Sequence, residues 1–294
     1  MLGPIAGVTI TAPAVAHSVA VYQEYLGYEL RHEGRVSREL ANFWSRPALA
    51  GRRVAILTPA SGAETCIRFV EGALDPAYRY FGTLGWNAAE LIVKDVDALA
   101  YRLRSSPFRV IGPPADLSFS DQIRAMQVVG PSEEVLYLTM VKSKIEAFDL
   151  PIAGSFVDRV FIMILGGASL EDLQAWYAAQ FALPATPVIP AVITALSQQY
   201  GLPPDHLHRI TALPLAGQCY VELDEMPPAA ACREQSPDEL PPGIAIVTFE
   251  VARLPALPAQ NGTAFDVPPY HGRRAALVRG VAGELIELVA SAAA

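Results

Sequence analysis

The chain repeats itself. A β-rich run, VTIT at residues 8–11, leads into an amphipathic helix in which Val19, Tyr22, Tyr25 and Leu26 recur at helical spacing. Gly27 then stands where a C-terminal cap belongs. A second run, VFIMI at 160–164, leads into another helix. There Ser169 and Asp172 read as a capping box, and Leu170, Leu173, Trp176 and Tyr177 form the apolar stripe. Such self-similarity constrains the fold more than any local feature, because a repeated unit must bury its hydrophobic face against another unit.

The echoes keep their order. Helical insertions are expected at 37–44 and 190–200, with Pro190 suited to a first helical turn and Gly201 to a C-cap. Strands at 53–57 and 64–71 answer strands at 208–213 and 218–224, with Cys66 and Cys219 at matching places. A strand at 87–93 and a helix at 95–103 answer 244–251 and 253–257. Each half closes on two strands, 123–129 with 135–141 and 274–280 with 284–289. The expected organisation is a first half over 1–141, a linker over 142–157 containing Pro151 and Gly154, and a second half over 158–294.

Composition narrows the function. A chain of 294 residues that is 52% apolar can bury a large core without disulfides. Its net charge of −8 argues against nucleic acid and against an anionic membrane surface. Cys66, Cys219 and Cys232 form no CxxC pair, which fits a reducing, cytoplasmic location. The N-terminus has no basic stretch before its apolar run, and Pro4 and Pro13 interrupt it, so no signal peptide or membrane span is expected. The expected partner is a small hydrophobic ligand, and the expected assembly a monomer or homodimer.

Four motifs recur in order. They are Tyr22 to Gly27 at a helix end, Ile92-Val93-Lys94-Asp95-Val96-Asp97-Ala98-Leu99 at a strand-to-helix step, and two closing hairpins, Gly130 to Leu138 and Gly283 to Leu288. Together they resemble the vicinal oxygen chelate superfamily, which includes glyoxalase I, extradiol dioxygenases and bleomycin-resistance-type binding proteins. The resemblance implies an α+β fold of tandem βαβββ modules forming two curled, cup-like mixed sheets, one cup per half. It also implies a metal held by His, Gln or Glu on particular strands. Counted from the motifs, those positions fall at Gly7, Ala88 and Tyr137 in the first half, and near 160–162, Ile246 and Glu287 in the second. Only Glu287 is a ligand type, so no metal and no other cofactor is expected.

Strand alternation then supplies candidates. If Ala88 faces a cup, so does Glu90, and Tyr137 faces it as well. A carboxylate in an apolar cup has its pKa raised toward the range of a general base. The candidate catalytic residues are Glu287, His271, Tyr270, Glu90 and Tyr137; the resemblance implies that the loop of Tyr270 and His271 borders a cup, so these two are expected to face Glu287. Thr9, Thr11, Arg68, Trp86 and Gln127 are candidate substrate contacts, with Trp86 at a cup mouth stacking on an aromatic ligand. An Arg68–Glu90 pair would equally serve as a buried structural ion pair, and Cys66 and Cys219 as core packing. Three functions follow. The first is a metal-independent lyase, isomerase or hydrolase using carboxylate acid/base chemistry on a hydrophobic oxygenated molecule, aromatic or polyketide-like. The second is a non-catalytic or drug-sequestering binder of the bleomycin-resistance type, and the third a dioxygenase or glyoxalase with atypical metal ligands.

Overall fold

The computed structural model describes residues 2–117, 120–145, 148–233, 236–254, 260–262 and 265–291. Four modules follow one another. The first comprises β1 (Leu2–Ala12), α1 (Val15–Val21, continued by a π-helical turn to Leu26), β2 (Glu29–Arg35), α2 (Arg38–Phe43), β3 (Arg53–Thr58) and β4 (Cys66–Glu71). The second comprises β5 (Gly85–Val93), α3 (Val96–Leu103), β6 (Arg109–Leu117), β7 (Ser120–Val129) and β8 (Val135–Val141). The third comprises β9 (Val157–Gly167), α4 (Leu170–Phe181), β10 (Ile189–Val192), α5 (Thr194–Gln199), β11 (Leu207–Leu215) and β12 (Cys219–Glu225). The fourth comprises β13 (Gly243–Val251), β14 (Gln260–Gly262), β15 (Ala275–Arg279) and β16 (Leu285–Ala290). Residues 255–257 of the helix expected at 253–257 lie outside the described residues. No helix among the described residues is long and apolar enough to cross a membrane.

Local chemistry sets the helix ends. Gly27 takes φ +71° after the first helix, a conformation that costs glycine little. Ser37, Asp95 and Ser169 each accept a hydrogen bond from a backbone N–H three residues on. Pro190 is not in a helix: it lies in β10, which pairs with β11, and the helical insertion begins only at Thr194. The strand β2 had no apolar signal because it is a sheet edge whose residues are exposed or half-buried throughout.

The sheets cross the two halves of the chain. One runs β14-β15-β16-β13-β1-β4-β3-β2, the other β10-β11-β12-β9-β5-β8-β7-β6. The first cup therefore joins the first and fourth modules, and the second cup joins the second and third. This corrects the expectation of one cup per half, and the physical reason is strand pairing. Each module's opening strand has a free edge, and β1 satisfies its edge against β13 rather than against β5. Thr9 and Thr11 consequently stand in a different cup from Glu90 and Tyr137.

The two sheets pack back to back. Val8, Phe69, Leu91, Leu138, Met163, Leu223 and Phe249, drawn from both sheets, share one core with the buried faces of α1, α3 and α4. Inside the first cup, α2 and its C-cap bury Leu40, Phe43 and Trp44 against Ile246 and Leu277. Inside the second, α5 buries Ala195 and Leu196 against Ala88, Tyr137 and Ile164. Both insertions thus pack into cups. Cys66 and Cys219 do not match: Cys66 shares the cup face with Arg68, whereas Cys219 lies in the core between the sheets.

Two buried carboxylates latch modules together within each half. Tyr22 donates to Glu134 Oε1 at 2.8 Å, and Tyr177 donates to Glu284 Oε1 at 3.1 Å. Each carboxylate folds over a glycine, Gly130 or Gly280, where any side chain would collide with it. Burial raises both carboxyls to about 7, against the lowering effect of their hydrogen bonds. Tyr22→Phe removes a donor from a buried acceptor and is expected to destabilise the fold by about 1–3 kcal/mol in urea denaturation.

Candidate functional site

The first cup closes on Glu287. This residue lies on β16, pairs in register with Thr248 of β13, and is fully buried. Thr248 donates to Glu287 Oε2 at 2.6 Å. Tyr270 and the Trp44 indole N–H both donate to Oε1 at 2.6 Å. The Arg68 Nη2 donates to both oxygens, at 3.2 and 3.0 Å. Arg68 is itself held by Thr9 at 2.9 Å and Tyr270 at 2.9 Å, and its guanidinium lies 4.7 Å from the Trp44 ring centre. Burial disfavours the Arg68 charge, but Glu287 beside it outweighs that, and the guanidinium pKa is raised. Thr11 turns to the Pro241 carbonyl at 2.6 Å. Trp44 and Thr248 carry no periodic or motif signal that could have singled them out.

Some candidates lie elsewhere. Of the Tyr270–His271 pair, only Tyr270 reaches Glu287; His271 is exposed in a turn with φ 47°. Trp86 is not at a cup mouth. Its ring packs between the sheets, 6.1 Å from Phe249, and its N–H donates to the Leu285 carbonyl at 2.9 Å. Arg68 pairs with Glu287 and not with Glu90, because those two glutamates belong to different sheets. A cavity of about 280 Å³ opens beside this network, reaching Arg68 between Leu40, Val54, Ile56 and Phe265.

The second cup carries carboxylates without a counter-cation. Glu90 of β5 pairs in register with Tyr137 of β8, and Thr139 donates to Glu90 Oε1 at 2.6 Å. Gln127 of β7 is opposite Tyr137. Across the cup, β12 contributes Glu222 and Asp224, two residues apart and so on one face. Both were missed, although their alternation with Val221 and Leu223 in a predicted strand was a usable signal. Burial raises Glu90 to about 8, with the Glu222 charge adding to it. Burial also raises Glu222 and Asp224, each of which feels the other. Among the described residues, the Tyr137 hydroxyl and Asp224 Oδ1 are buried with no hydrogen-bond partner. Buried polar atoms without a partner are rare in folded proteins, because each forgoes the hydrogen bond it would make in water.

Among the described residues, neither cup gathers a transition-metal donor set. In the first, the register Thr9↔Arg68 and Thr248↔Glu287 puts a guanidinium where a second carboxylate or imidazole would have to stand. In the second, the register Glu90↔Tyr137 and Ile164↔Glu222 mixes oxygen donors with an aliphatic side chain. No group of three His, Cys, Asp or Glu among the described residues is gathered so as to hold a metal ion.

No protein-family model and no curated protein sequence matches this chain. Solved structures do match along its length. Glyoxalase I from Zea mays superposes with a TM-score of 0.63 at 14% identity, over 98% of this chain and 92% of that one. A chain from Bacillus subtilis, assigned only provisionally as a dioxygenase, superposes with a TM-score of 0.61 at 10% identity, over 98% and 85%. At such identities the likeness is one of fold.

Two outcomes are expected. Removing the cation in Arg68→Leu leaves Glu287 charged and buried, and should cost about 3–5 kcal/mol in chemical denaturation, with part recovered by adding Glu287→Gln. The second concerns pH. Glu134 and Glu284 titrate at about 7 and Glu90 at about 8 in the folded protein, above their ordinary 4.5. The folded chain thus holds protons that the unfolded chain has lost. That stability is complete below about pH 4.5 and is lost as pH rises through about 7 to 8. The melting temperature should therefore fall between about pH 5 and about pH 8, and Glu90→Gln should flatten the upper part of that fall.

Proposed function

On the tandem vicinal oxygen chelate fold that this chain shares with glyoxalase I, we propose an enzyme that transfers protons in its second cup without a metal. Its substrate is a hydrophobic, oxygenated small molecule of aromatic or polyketide-like type, and its reaction is of the lyase, isomerase or hydrolase kind. The observation that carries this reading is the buried row of Glu90 and Tyr137. A carboxyl raised to about 8 both holds and releases a proton near neutral pH, as a general acid/base must. The neighbouring Tyr137 hydroxyl has no protein partner and is free to donate to a substrate oxygen on which charge develops. Ile164, Ile193 and Leu196 supply an apolar wall. In the step envisaged, Glu90 takes a proton from carbon beside a carbonyl while Tyr137 bonds the enolate oxygen. The proton then returns to a different atom.

Glu287 has the opposite character. Its oxygens already accept from Thr248, Tyr270, Trp44 and Arg68, so we assign it to holding the first cup together. The cavity of about 280 Å³ beside that network supports a second reading, in which the first cup binds a ligand without changing it.

Thermal-shift screening of aromatic and polyketide-like carbonyl compounds, with and without EDTA, identifies ligands, because binding the native state raises its apparent stability. Incubation of each hit in D₂O, followed by mass spectrometry, then reads proton transfer. Glu90→Gln is expected to lower exchange or turnover by about 10²–10⁴-fold while binding persists. Saturable binding with unchanged, undeuterated ligand would favour the binder instead.

A further inference from the structure

We propose that the ligand of the second cup carries an organic cation, a guanidinium or a protonated amine, seated among Glu90, Glu222 and Asp224; this rests on taking that cup as the ligand site. The argument begins with the protein's own internal comparison. The two cups are built on equivalent ladders. Thr9↔Arg68 and Thr248↔Glu287 in the first correspond to Ile164↔Glu222 and Glu90↔Tyr137 in the second. Where the first cup has Arg68, the second has Glu222, and where the first has Glu287, the second has Tyr137. The first cup thus supplies its own guanidinium to its carboxylate and seals it with Trp44 and Tyr270. The second has three carboxylates, and no arginine, lysine or histidine among the described residues bonds any of them.

The surroundings agree. His208 is the nearest candidate cation on the β11 face, but its ring bonds Ser197 at 2.9 Å, and burial lowers its pKa, so it stays neutral. Arg209 is spent on Glu171 and Glu225. Charges buried without a partner are strongly disfavoured, so in the empty cup the carboxyls keep protons instead. A cationic group would replace those protons and offer N–H donors to Asp224 Oδ1, which has none. It would also accept company from Tyr137, whose hydroxyl is buried and unpartnered at the same place. Glu222 is only partly buried, which leaves the cluster open to solvent. Around the carboxylates, Ile164, Ile193 and Leu196 are packed against one another and exclude water from one side of the cluster. The cationic group is therefore the part of the ligand that the cluster recognises.

Isothermal titration of the full chain with benzamidine, benzylamine, benzyl alcohol and benzoate tests this. Benzamidine and benzylamine should bind saturably, and the two others at least about tenfold more weakly. Glu222→Gln with Asp224→Asn should weaken benzamidine by about tenfold or more. Should that double variant fail to fold, Glu222→Arg gives a second measurement. It installs the cation found at the equivalent place in the first cup, and should raise the melting temperature while abolishing the shift caused by benzamidine. Benzoate or benzyl alcohol binding as tightly as benzamidine would overturn the proposal. So would benzamidine binding that is indifferent to these substitutions, or a cluster that binds MnCl₂ or CaCl₂ but no amine. If amines fail while Glu90-dependent proton exchange persists, only the cationic head is wrong. If no probe of either charge binds the second cup and exchange is absent, the acid/base reading falls with it.

Discussion

Arg68 and Glu287 are 219 residues apart in the chain, and their contact depends on one ladder. When β1 pairs with β13, the strand beside each, β4 and β16, is carried to the same cup. The guanidinium and the carboxylate then face each other, both buried. A lone charge there would be very costly, so the pair must be complete and must be hydrogen-bonded on all sides. Thr9, Thr248, Tyr270 and Trp44 provide those bonds, and they come from both modules of the cup. The ion pair therefore ties together the first and last parts of the chain. Removing either partner would leave the other as an uncompensated buried charge.

The second cup follows the same plan without that neutralisation. Its ladders put Glu90, Glu222 and Asp224 on one cup face, and the position equivalent to Arg68 holds the carboxylate Glu222. Protons are then the only internal remedy, which is why these carboxyls are shifted upward while the first cup keeps a charged pair. A fold with two equivalent cups can thus neutralise the carboxylate of one internally and leave those of the other without a cation of their own. The insertions α2 and α5 follow this division. Trp44 closes α2 directly onto Glu287, whereas α5 lays apolar side chains over the second cup and leaves Glu222 reachable.

Much of this was legible in the residues. The repeat, the Ser169 cap, the Gly27 helix end and the closing hairpins are all local signals, and local hydrogen bonding and backbone sterics decide them. The inward direction of Glu90 and Tyr137 followed from the period of two along a strand. The approach of Tyr270 to Glu287 also followed, because the two are close in the chain. The edge strand β2 escaped because an exposed edge has no apolar alternation to read.

What a repeated sequence could not specify was which copy pairs with which. Four similar modules have similar edges, and each edge can in principle close a cup with any other. The choice of β1 with β13 and β5 with β9 lies in long-range packing of backs, connectors and buried charges, none of which leaves a periodic trace. That choice alone decided that Arg68 belongs to Glu287 and not to Glu90, that Thr9 and Thr11 serve the ion pair, and that Trp86 packs between the sheets. The chain by itself determined the modules and the faces of their strands, because those depend on neighbours a few residues away. Only the tertiary structure decided which faces meet, because burial and charge compensation act between residues that the chain separates by hundreds of positions.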